Sequence, residues 1–182
     1  MFGQDTLYLK TDSVLWGKLQ LVNCSKAGPV ITDKNKNLQE CILAEDTYLW
    51  TARRLFCFKK DNQVVFNKDG YVISGVLAER SFAWTAFESI HLRADSYIYL
   101  SSNGSVLLGE LSKNQEFIIG DKIVMFRRAE PMEFDESGKV KRGTIENREH
   151  LINSQGKEKL YKAGSVLIFN ENSEVTENLS DD

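Results

Sequence analysis

Apolar and polar positions alternate along this chain in short stretches, and the stretches return at a fixed interval. Phe66, Leu100 and Phe134 stand 34 residues apart (100 − 66 = 34 and 134 − 100 = 34). Val72, Val106 and Val140 keep the step, as do Gly70, Gly104 and Gly138, Gly75, Gly109 and Gly143, and Leu77, Leu111 and Ile145. Self-similarity at such a period marks a tandem-repeat protein built of 34-residue units. Within each copy the apolar positions are spaced for extended chain, and between them lie Asn67-Lys68-Asp69-Gly70, Ser101-Ser102-Asn103-Gly104 and Asp135-Glu136-Ser137-Gly138. These are turns: the opening residue bonds its own backbone, and the closing glycine supplies a positive φ without a Cβ clash. No apolar stripe runs at helical spacing. The spacing therefore predicts an all-β chain with one irregular helical turn near residues 146–151.

The phase decays toward both ends. Upstream, Thr32, Lys36, Leu38, Cys41 and Leu43 occupy the columns of Phe66, Gly70, Val72, Gly75 and Leu77; downstream, Phe169, Ser173, Val175 and Leu179 follow after a one-residue slip. Degenerate outer copies are what capping repeats look like, since one face of each meets water instead of a neighbour. Leu9, Val14, Gly17 and Leu19 echo the phrase and predict a shortened first copy. Later copies carry a longer excursion, inside which Trp50, Trp84, Ile118 and Ile152 hold the step. A large apolar residue kept in register predicts a further strand there, with this column in the core.

Two architectures satisfy the pattern. In a β-solenoid, favoured by the even ladders and the second glycine of each copy, residues of one column stack on successive coils about 4.8 Å apart. In an elongated antiparallel β-meander, the alternative, each glycine-closed turn joins a hairpin and the hairpins lie side by side.

The string Phe-x-x-x-Gly-x-Val-x-x-Gly-x-Leu is complete from Phe66 to Leu77 and nearly so from Leu100 to Leu111 and from Phe134 to Ile145. It resembles the short β-repeats of MORN-like proteins and of spirochaete repeat proteins of unknown function. The likeness runs from Leu7 to Leu179, although this unit is longer than theirs and the Tyr-x-Gly-rich phrase of MORN units is missing. It implies a noncatalytic scaffold or surface-binding module and transfers no active site.

Composition adds bounds. The 182 residues, 42% hydrophobic with 2 prolines, predict one β-repeat domain over residues 1–170, without an internal boundary because each repeat touches mainly its neighbours. Residues 171–182, with Glu171, Glu174, Glu177, Asp181 and Asp182, read as a frayed acidic tail. No long apolar run occurs, so no membrane span is expected. Met1 is not followed by a charged and then an apolar region, so the chain reads as cytoplasmic, with the cell envelope as the alternative if a leader has been removed.

Candidate chemistry is sparse. His91 and His150 sit at different places in the repeat, His91 facing outward in the column of Cys57 and Met125. Cys24 shares the column of Phe58, Leu92 and Phe126, and Cys41 that of Gly75. With no Cys-x-x-Cys spacing and an odd count, the cysteines read as small buried hydrophobes in a reducing compartment. No phosphate loop or paired carboxylate keeps the step, so no catalytic residue, metal ligand or cofactor is assigned. One polar column does keep it: Lys59, Arg93 and Arg127 follow Phe58, Leu92 and Phe126, and Lys162 follows Tyr161 after the slip. Repulsion along such a ladder is unfavourable unless anions lie between the cations. Projecting from one face, the four make a candidate anion-binding strip for an unidentified protein or an anionic envelope component. With a net charge of −3, no specific nucleic acid is expected as a partner. The function expected is a noncatalytic interaction scaffold; a self-associating structural protein and a carbohydrate-directed β-helix enzyme are the alternatives.

Overall fold

The structure, a computed structural model, describes residues 4–180. No helix occurs among them. Where the sequence predicts a helical turn near 146–151, the chain instead enters the strand Glu149–Ile152, because exposed Ile152 and buried Leu151 alternate with the period of extended backbone.

The strands fall into two sets. Eleven join one long sheet in the order Gln4–Tyr8, Pro29–Asp33, Leu38–Ile42, Gln63–Phe66, Val72–Val76, Tyr97–Leu100, Val106–Glu110, Pro131–Phe134, Val140–Thr144, Val166–Phe169 and Val175–Asn178. The other ten make five separate hairpins. The first is Ser13–Trp16 with Leu21–Cys24, the second Thr47–Trp50 with Leu55–Phe58, and the third Ser81–Trp84 with Ser89–Leu92. The fourth is Gln115–Ile119 with Lys122–Phe126, and the fifth Glu149–Ile152 with Glu158–Tyr161. Pairing in the sheet is antiparallel, as the meander requires, and no closed solenoid coil forms among the described residues.

The expected short first copy is a hairpin of full length, with Trp16 one step ahead of Trp50 (50 − 16 = 34). The apolar echo Val14, Gly17 and Leu19 runs across its turn, which the Gly17 N–H closes by donating to the Gln20 carbonyl. The acidic stretch assigned to a tail contributes the strand Val175–Asn178, which pairs with Val166–Phe169 and buries Val175; Asp181 and Asp182 lie outside the described residues. No helix among the described residues is long and apolar enough to cross a membrane.

The sheet turns close as their sequence dictates. Asn67 Oδ1 accepts the N–H groups of Asp69 and Tyr71, while its carbonyl accepts that of Gly70, whose φ is +89°. The N–H groups of Gly104 and Gly138 donate likewise to the carbonyls of Ser101 and Asp135, with φ of +81° and +85°. Beside the turn the register shifts, Val65 facing Ser74 and Phe66 facing Val72, the bulge by which such a loop rejoins its ladder.

The chain divides into two compact units, one formed by Met1–Ser81 with Ala94–Gly104 and the other by Phe82–Arg93 with Ser105–Asp182. In the first, the sheet residues Leu38, Val64, Phe66, Val72, Ile98 and Leu100 are buried together with Val22, Leu49, Phe56 and Phe58 of the hairpins. In the second, Val106, Phe134 and Val140 of the sheet are buried with Ile90, Leu92, Phe117, Val124 and Phe126. There the Phe117 ring centre lies 5.8 Å from that of Phe126 and 5.5 Å from that of Phe134, so hairpin and sheet share one core. The approach depends on absent side chains: a Cβ at Gly143 would stand 2.6 Å from the Phe126 ring.

Candidate functional site

The cationic column starts from backbone pairing. Where each hairpin ends, the N–H of Lys59, Arg93 or Arg127 donates to the sheet at the carbonyl of Val76, Glu110 or Thr144 respectively. This fixes the Cα of each cation beside the last residues of a sheet strand. Lys59, in the first unit, pairs with Asp95, and the hydrogen bond to that carboxylate holds its ammonium above the usual lysine range. In the second unit Arg93 Nη1 lies 3.1 Å from Glu110 and Arg127 Nε 2.8 Å from Glu146. The Arg127 hydrogen bond holds the Glu146 carboxyl below the usual range. Three of the four expected cations thus face a carboxylate, the condition under which a ladder of like charges is tolerable. Lys162 has no ion pair among the described residues. Beside Arg127 an open cleft of about 560 Å³ is lined by Lys113, Asn114, Arg127, Arg128, Ala129 and Glu146.

The column expected in the core stands elsewhere. Trp84 is 47% exposed, Ile118 64% and Trp50 48%. The buried residue of each strand is the one before, Leu49, Ala83, Phe117 or Leu151, and these also stand 34 residues apart (83 − 49 = 34). Neighbouring residues of a strand point to opposite faces, so two adjacent columns carry the same periodicity and only one can face the sheet. The Phe117 ring fills the space beside Phe126 and Phe134, which leaves Ile118 on the outer surface.

The outer hairpin surface is therefore an exposed apolar column, and Trp16, 72% exposed, begins it. In the first unit the cross-strand pairs on this face are Val14 with Asn23, Trp16 with Leu21, Tyr48 with Cys57 and Trp50 with Leu55. Side chains link the two hairpins: the Trp50 N–H donates to Gln20 Oε1 at 2.7 Å, and Gln20 Nε2 donates to the Trp50 carbonyl at 3.4 Å. Tyr48 donates to Glu79 at 2.9 Å, and Cys57 is buried, its thiol pushed up by desolvation. In the second unit His91 keeps partial exposure, edge-on to the Phe82 ring at 5.2 Å, and its N–H donates to Gln115 Oε1.

Cys24 and Cys41 form a disulfide, which the sequence reading of small buried thiols does not anticipate. Their Cα atoms are 5.9 Å apart, within the usual span of such a bond. The physical reason lies in the columns: where other copies set a Phe or Leu ring or branch against a glycine, this copy sets one cysteine against another. The space that Phe126 takes over Gly143 is taken here by two sulfurs, and both residues are buried.

No family model and no curated protein matches the chain.

Proposed function

We propose that the chain is a noncatalytic interaction module whose contact surface is the outer face of its hairpins. The observation that carries this reading is the exposed column Trp16, Trp50, Trp84, Ile118 and Ile152, which keeps the 34-residue step while contributing little to the core. Single exposed apolar residues are ordinary on a protein surface, whereas contiguous apolar patches mark sites of contact. The resemblance to MORN-like repeats agrees with a scaffold role. The test is titration with a fluorescent apolar probe. The intact chain is expected to bind it, and a variant carrying Trp16→Glu and Trp50→Glu is expected to lose most of that binding; equal binding by the two would refute the assignment.

A second reading places an anionic partner on the cationic column, and the cleft beside Arg127 favours it, since Lys113 and Arg128 line it with no carboxylate paired to them among the described residues. Exposed charges are screened over about 8 Å at physiological salt. Retention on heparin at low salt, lost on raising the salt and lost in a variant carrying Arg127→Glu and Arg128→Glu, is the expected behaviour; retention unchanged in the variant overturns it.

A further inference from the structure

We infer that the outer face of the first two hairpins is an interface for a second copy of this chain. This rests on the reading of the hairpin face as a contact surface and names its occupant. Eight outward positions make up the face: Val14, Trp16, Leu21 and Asn23 on one hairpin, and Tyr48, Trp50, Leu55 and Cys57 on the next. None is charged, and seven are apolar or aromatic. The inner face of the same hairpins is apolar as well, with Val22, Cys24, Leu49, Phe56 and Phe58 buried toward the sheet. A β-layer that is apolar on both sides has the pattern of a layer covered on both sides.

Three observations choose the second copy. The first is area. The exposed parts of Val14, Trp16, Leu21, Tyr48, Trp50 and Leu55 together present on the order of 700 Å², above the largest patch of a typical monomer and near the ~800 Å² per partner of a standard interface. The second is charge. In a two-fold symmetric contact residue i meets residue j and j meets i, so an uncharged patch buries no charge without its partner; none of the eight positions is charged, Lys18 is paired with Asp69 at the rim, and the carboxylates of Glu45 and Glu79 stand at the edge beside Asn23 and Tyr48. The third is the poverty of polar groups. A sugar chain or polar peptide needs donors and acceptors beside the rings, but the Asn23 amide already donates to Glu45, the Tyr48 hydroxyl to Glu79, and Gln20 is spent on the Trp50 backbone. What remains is a largely apolar, aromatic surface that complements another like itself, with the Glu45 and Glu79 carboxylates at its edge. The two indoles, as the largest rings of the face, each at the turn end of its hairpin, are the anchors of the contact.

Sedimentation equilibrium of the full chain, from micromolar to near-millimolar concentration, tests this. Three proteins are compared: the parent, a variant with Trp16→Glu and Trp50→Glu, and a control with Ile118→Glu and Ile123→Glu on the fourth hairpin, each shown to be folded by circular dichroism. The expected result is twice the chain mass for the parent and the control, and the chain mass for the tryptophan variant. A parent that stays at the chain mass throughout, or a tryptophan variant that still doubles, overturns the inference. The apolar-probe titration on the same samples separates this failure from failure of the broader reading. Probe bound by a monomeric parent and not by the tryptophan variant leaves the face a contact surface for another partner. Retention of that monomer by a soluble polysaccharide would assign the face to sugar chains instead.

Discussion

The outer hairpin faces of the two units differ although their inner faces are alike. In the first unit, Trp16 meets Leu21 and Trp50 meets Leu55 across the strands. In the second, Ile118 still meets Ile123, but Glu116 stands opposite Met125, His150 opposite Leu160 and Ile152 opposite Glu158. A Lys122 to Glu158 ion pair of 2.8 Å completes the change. Inside, Leu49, Phe56 and Phe58 of one unit correspond to Phe117, Val124 and Phe126 of the other, all buried. Packing against the sheet keeps these inner positions apolar in both units, while the position that opens each hairpin on the same face, Ser13, Thr47, Gln115 or Glu149, is polar. The outer columns are under no such constraint, so an outer face that stays apolar calls for a reason outside the fold.

Truncating an inner and an outer residue in each unit separates the two kinds of column. Phe58→Ala and Phe126→Ala are each expected to cost roughly 3 to 5 kcal/mol in denaturant unfolding, as fully buried rings do. Trp50→Ser and Ile118→Ser are expected to stay within about 0.5 kcal/mol under dilute conditions, as surface changes do. An outer substitution as costly as an inner one would make the outer column part of the core.

Next in size is the disulfide, which only the first unit has. Reducing the Cys24–Cys41 bond, which closes 17 residues of sequence separation, is expected to cost about 3 kcal/mol through the loop entropy regained by the unfolded chain. Amide exchange should locate the loss in the first unit, with the second unit's strands as protected as before; a loss spread evenly over both would contradict this.

The cysteine pair also sharpens the parallel between the units. Gly143→Cys alone drives a side chain into the Phe126 ring and is expected to cost roughly 1 to 3 kcal/mol. Joined with Phe126→Cys it recreates the arrangement of Cys24 and Cys41. The double variant is then expected to be more stable than the sum of its two single changes, with a favourable coupling of at least about 0.5 kcal/mol in the mutant cycle. Simple additivity would mean that the two columns do not share one space.

The smallest effect concerns acid. Arg127 depresses the Glu146 carboxyl, so its contribution is present above the ordinary glutamate range and disappears as pH falls through the lowered folded value. Both side chains are substantially exposed, so the effect is slight. Stability measured against pH should fall less steeply on the acid side in Glu146→Gln than in the parent, and an identical slope would remove the ion pair from the account.

Much of this fold is legible in the sequence, and the unreadable parts have a common cause. The turns at Gly70, Gly104 and Gly138 follow from local chemistry, since an Asx or Ser residue and a left-handed glycine specify the loop by themselves. The burial of Phe66, Leu100, Phe134, Val72, Val106 and Val140 follows from their columns. The facing of Trp84 and Ile118 does not, because a repeat returns each residue to the equivalent place in the next unit whichever face it takes, so the period cannot say which side that is. The neighbouring column Leu49, Ala83, Phe117 and Leu151 carried the missing signal: a column that mixes Ala with Phe fits against partners of differing size. Trp16 was within reach too, one step before Trp50, but was hidden by an apolar echo that crosses a turn. The carboxylates beside Lys59, Arg93 and Arg127 come from three different places in the unit, Asp95, Glu110 and Glu146, and only the folded sheet brings them to the cations.

The chain's 3 tryptophans are Trp16, Trp50 and Trp84, so the outer column reports on itself. Hydroxyl-radical labelling of the three indoles, read by mass spectrometry as protein concentration rises, tests most directly whether the first unit's outer face is where a second copy binds. Labelling at Trp16 and Trp50 is expected to fall together with increasing concentration while Trp84 stays accessible. Equal labelling of all three at every concentration, or protection of Trp84 alone, would contradict it.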